Sequence, residues 1–123
     1  MKKSLIVLSL FLAGCSSVSE PVGDPVPELV MDEGVIVVEG SEFSFSPDDI
    51  SLPAGEVRQI LFKNVGRAPH DFVIEGTDIK TSIIAAGGEE LIEFTVPENG
   101  LYSIYCSVPG HRRSGMEGDF IAQ

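Results

Sequence analysis

The segment GLYSIYCSVPGHRRSGM, Gly100–Met116, couples a strand pattern to a loop of unusual composition. Strict alternation over its first half places Tyr102, Ile104 and Cys106 on one face and Leu101, Ser103 and Tyr105 on the other. If Ile104 faces a core, Cys106 does too, and its thiol then lies at the buried end of a strand. The loop that follows leaves four residues between Cys106 and His111 and four between His111 and Met116, in a chain with only 2 Cys, 2 His and 3 Met. The strand therefore ends in three side chains that favour soft metals.

Upstream, the sequence repeats the same grammar of short apolar runs broken by turn residues. VIVVEG is followed by SEFSFSP, in which alternation puts Phe43 and Phe45 on one face, then by DISL, the turn PAGE and VRQILFKN. HDFVIEG, TSIIAAGGEE, LIEFTVPENG, LYSIYC and GDFIAQ complete the series, and none sustains a 3.6-residue period. Seven to eight short strands at this spacing predict an all-β antiparallel sandwich or barrel.

Thiolate, imidazole and thioether donors suit copper and discriminate against Mg²⁺ and Ca²⁺. Zinc also takes Cys and His, but its structural sites use two or more thiolates at short paired spacings. The only other histidine, His70 in NVGRAPHDFVIEG, stands at the mouth of a different predicted strand. One early His with a late Cys, His and Met forms the His₂Cys set with a weak axial Met of a mononuclear blue-copper site. Four protein donors leave no open position for a substrate, so an electron carrier is expected and not an enzyme. A binuclear copper oxidase domain would need a second loop cysteine, and position 110 is Gly.

FKNVGRAPHD (Phe62–Asp71) and GLYSIYCSVPGH (Gly100–His111) resemble the two ligand-bearing segments of cupredoxins, the plastocyanin-like family. The resemblance covers residues 35–123 and implies a Greek-key β-sandwich of seven to eight strands holding one type 1 copper ion. Its loop, with four residues between Cys106 and His111, is more like the sulfocyanin and azurin types than plastocyanin. Asp71 stands where plastocyanin-like members commonly carry Asn. Its carboxylate is expected to accept from the backbone or hydroxyl of Ser107, tying the ligand loops together and favouring Cu(II). Asn64 is expected to brace the His70 loop. The expected electron exit is His111, within an apolar patch of Pro69, Val108, Pro109 and Gly110. Arg112 and Arg113 would orient a partner, and Tyr105 offers a second route.

The N-terminus reads as a targeting segment: Lys2 and Lys3, then an apolar run from Leu5 to Gly14 that is too short to span a bilayer. LAGC resembles the lipobox of bacterial lipoproteins, which implies a leader over 1–14 and lipidation of Cys15. Cys106 would then have no disulfide partner. Residues 15–34, rich in Pro, Ser and acid, read as an extended tether. Such a protein would be a membrane-anchored lipoprotein facing the periplasm or the cell exterior. The net charge of -11 argues against nucleic acid. Redox proteins are the expected partners of a monomer that cycles Cu(I)/Cu(II). A periplasmic copper buffer or delivery protein is the alternative.

Overall fold

The computed structural model describes residues 34–123. The leader, Cys15 and the tether as far as Glu33 lie outside the described residues. Eight strands follow one another: β1 (Val35–Ser41), β2 (Ser44–Ser46), β3 (Asp49–Leu52), β4 (Val57–Asn64), β5 (Val73–Ile74), β6 (Glu89–Thr95), β7 (Gly100–Tyr105) and β8 (Glu117–Ala122). They form two four-stranded sheets, ordered β2-β1-β4-β6 and β3-β8-β7-β5. The fold is the expected all-β sandwich.

Alternation explains the core. On β4, Ile60, Phe62 and Asn64 are buried while their neighbours face outward. On β7 and β8, Ile104, Phe120 and Ala122 point between the sheets. Phe45, Phe62 and Phe72 meet with ring centroids 5.8 to 6.2 Å apart. Pairs of this kind contribute about 0.5–1.5 kcal/mol each beyond the area they bury. This cluster lies beneath the end of the sandwich where the scarce soft side chains gather.

Three details depart from the sequence pattern. Each sheet contains one parallel pair, β1 with β4 and β3 with β8, because the chain crosses to the second sheet after β2 and returns at β4. Phe43 does not share a face with Phe45: Glu42 and Phe43 make the turn between β1 and β2, so Phe43 is exposed and Phe45 buried. TSIIAAGGEE forms a strand only from Glu89. Before that, Ile84 makes a single bridge to His70, and the Gly87 and Gly88 backbones bond Asn64, which turns the chain into β6.

The strand order places three chain segments at one end of the molecule. Gly40 pairs with Asn64, so the β1–β2 turn sits beside the loop that leaves β4. β5 and β8 flank β7, so His70, just ahead of β5, lies next to the loop joining β7 to β8.

Candidate metal centre

Cys106 sits one residue beyond β7, buried, its N–H donating to the carbonyl of Met116 across the ladder (3.1 Å). Between them the loop is folded on itself. His111 N–H donates to Val108 O, Ser114 N–H to His111 O and Met116 N–H to His111 O, at 3.0 to 3.1 Å. A single 3-10 turn at Arg112–Ser114 ends at Gly115, whose φ of 107° is a left-handed conformation that a side chain would oppose. That reversal carries Met116 back under the loop. Met116 is fully buried. A Cβ built at Gly40 would stand 3.2 Å from its terminal methyl and 2.7 Å from the Phe62 ring, so the bare glycine leaves room for both.

His70 arrives from the other loop. Asn64 braces that loop from within: its Nδ2 donates to the carbonyls of Ala68 and Ile84, both at 2.8 Å, and its Oδ1 accepts from Gly66 N–H at 3.0 Å. Its polar atoms are therefore satisfied although the side chain is buried. His70 itself is fully buried and exchanges backbone hydrogen bonds with Ile84.

The two loops bring three donor atoms together. His70 Nδ1 lies 3.1 Å from His111 Nδ1, and Cys106 Sγ lies 3.5 Å from His111 Nδ1 and 3.9 Å from His70 Nδ1. A triangle with these edges has an interior point about 2 Å from all three corners, close to the length of a bond from a transition metal to nitrogen or sulfur. The set of one thiol and two imidazoles is soft to borderline. The residues present therefore fit a copper ion.

Electrostatics around the triangle is set by two carboxylates. Asp71 Oδ1 accepts from Ser107 N–H at 2.6 Å and its Oδ2 from the Ser107 hydroxyl, so both oxygens tie the His70 loop to the residue after Cys106. Glu42, in the β1–β2 turn, reaches the opposite side: its Oε1 accepts from Arg67 N–H (2.6 Å), Ala68 N–H (2.8 Å) and His70 Nε2 (3.2 Å). The amides of Ala68 and Arg67 hold the Glu42 carboxyl at about 2, well below the usual range. Burial pushes the Cys106 thiol up, against hydrogen bonds from the backbone of Asp71 and Val108. A metal must displace that proton to bind the thiolate.

His111 is partly exposed where His70 is sealed in, and the Phe43 ring stands edge-on to it, centroids 5.2 Å apart at 77°. Val108 packs against the core while Pro109, Gly110 and Pro69 are exposed around it. Arg112 turns away from this patch. Its guanidinium bonds Glu75 through two nitrogens (2.9 and 3.0 Å) and Glu117 through Nε (2.9 Å), and it lies 4.5 Å from the Tyr105 ring centroid. Arg113 is exposed.

Glu42 and Phe43 are the participants that strand periodicity could not reveal. Both depend on a turn that breaks alternation and on the parallel pairing of β1 with β4, which joins residues far apart in the chain. The residue pattern held no signal for that pairing.

Comparison with known proteins points to one family. The Cupredoxin-like domain family matches residues 5–122. The plastocyanin of Mercurialis perennis is 33% identical over 88 residues, covering 63% of this chain and 85% of that protein. The copper-resistant cuproprotein CopI of Rubrivivax gelatinosus is 25% identical over 122 residues, covering 84% and 74%. Among solved structures, the dithionite-reduced auracyanin of Roseiflexus castenholzii superposes with a TM-score of 0.67 at 23% identity, over 72% of this chain and 96% of that one.

Proposed function

The chain belongs to the cupredoxin family of blue copper proteins, with one type 1 copper as its cofactor, and from that premise we propose a one-electron carrier tethered to a membrane. In this reading His70, Cys106 and His111, together with the buried Met116, would hold the copper ion. The observation that carries it is the triangle of donor atoms, with edges of 3.1 to 3.9 Å, held on a scaffold of strands. The ion supplies a one-electron couple between Cu(I) and Cu(II).

The chain's own residues do the rest. Asn64, Asp71 and the folded 106–116 loop hold the donors in place, so little motion accompanies a change of oxidation state. Phe62, Phe72 and Met116 keep water from the buried side. His111, partly exposed, is the path for the electron, and Pro109 and Pro69 with Phe43 and Val108 form the apolar surface on which a redox partner docks. Arg113, exposed beside that surface, steers the partner. Arg112, paired with Glu75 and Glu117, secures the loop, and its position over Tyr105 ranks that route below His111.

The leader LAGC with Cys15 supports export and lipid anchorage, with the acidic stretch to Gly34 as a tether. Two acyl chains would hold such a protein stably, since each buried CH₂ contributes about 0.8 kcal/mol. Radiolabelled palmitate incorporated by wild type and lost in Cys15→Ala tests this; no incorporation by wild type rejects the anchor.

A copper buffer or delivery protein is the second reading, favoured by the match to a copper-resistant cuproprotein over 84% of the chain. Voltammetry of the copper-loaded protein separates the two. A reversible one-electron wave with copper retained against a chelator supports the carrier, and ready release with no reversible wave supports delivery.

A further inference from the structure

We propose that Glu42 is a positioning residue for the copper site: its carboxylate keeps the His70 proton on Nε2, leaves Nδ1 bare for the metal, and lowers the reduction potential by its charge. The inference rests on His70 binding copper as proposed above.

Three contacts converge on one oxygen. The amides of Arg67 and Ala68 can only donate to Glu42 Oε1, and an ionised carboxylate can only accept, so the third contact, from His70 Nε2, requires a proton on that nitrogen. A neutral imidazole carrying its proton on Nε2 has a free lone pair on Nδ1, the atom that faces Cys106 Sγ and His111 Nδ1. The ligand tautomer is thus chosen by the protein before any metal arrives.

The space for this carboxylate is built. A Cβ on Gly66 would stand 2.5 Å from Glu42 Oε1, so the bare glycine admits it. Among the described residues, Glu42 is the only carboxylate within hydrogen-bond distance of either histidine ring. A negative charge at that point favours the more positive oxidation state of a metal on the other side of the ring.

Two measurements on the full chain test this, with three variants. Nitrogen NMR of the metal-free protein should show His70 protonated at Nε2 in wild type and in Glu42→Gln, which keeps the accepting oxygen and removes the charge. The preference should be lost in Glu42→Ala and weakened in Gly66→Ala, which displaces the carboxylate without removing it. Mediator titration of the copper-loaded protein should find Glu42→Gln shifted toward Cu(I) about tenfold, or about 59 mV for one electron. An Nδ1 proton on His70 in the wild-type metal-free protein overturns the proposal, as does an unchanged potential in Glu42→Gln with the blue band intact. If wild type gave no blue band, the copper reading would fall by itself, and the tautomer measurement would still decide the role of Glu42.

Discussion

In the proposed site Cys106 carries the colour and none of the fold's topology. Its thiol is one of three corners of the donor triangle, while the core around it is held by Ile104, Phe62, Phe72 and Phe120. Cys106→Ser should therefore abolish the intense visible charge-transfer band and leave the far-ultraviolet circular dichroism unchanged. Asp71 tests the electrostatics from the other loop. Asp71→Asn keeps an oxygen that can accept from Ser107 N–H and removes a charge, so the reduction potential should rise; voltammetry showing no rise would mean that Asp71 ties the loops without tuning the metal. The spacing of Cys106, His111 and Met116 singled out the loop, His70 followed as the one other histidine, and the structure brings the donor atoms of His70, Cys106 and His111 together. Glu42 escaped because alternation reads it as an outward strand residue, whereas the chain turns there and aims the carboxylate back at His70.

At the level of elements, the ligand loop is secured where it meets the strands. Met116 and Cys106 bond across the β7–β8 ladder, and Gly40 on β1 makes room for Phe62 and the Met116 methyl. Gly40→Ala should overpack this point and cost about 1–3 kcal/mol, read as a lower denaturant midpoint of the metal-free protein. Arg112 adds a tie from the loop to Glu75 beyond β5. Hydrogen bonding to Arg112 lowers the Glu75 carboxyl below its ordinary value. A group depressed on folding contributes stability that is present above its unfolded value and lost as pH falls through the folded one. Glu75→Gln should thus lower the melting temperature of the metal-free protein at neutral pH and leave it nearly unchanged in acid. The strands of this frame were legible from alternation, β4 and β7 above all. The parallel pairs, and an ion pair between residues 37 positions apart, were not, because period-two patterns fix which face a residue takes and not which strand lies beside it.

For the whole molecule, charge decides who approaches. With 8 basic against 19 acidic residues, the chain repels anions at a distance, whatever lies around His111. Electron exchange with a small cationic reductant should slow as salt is added, and exchange with an anionic one should quicken. Arg113→Glu should enlarge both trends if that residue borders the docking surface. The scaffold brings two loops to one end of a sandwich, so the strands and not the ion set where the donors stand. Titrating metal-free protein with Cu(II) while following the thiolate-to-copper band tests that claim most directly. The band should rise linearly to one ion per chain and disappear reversibly on one-electron reduction; no band, or copper taken up without one, would contradict it.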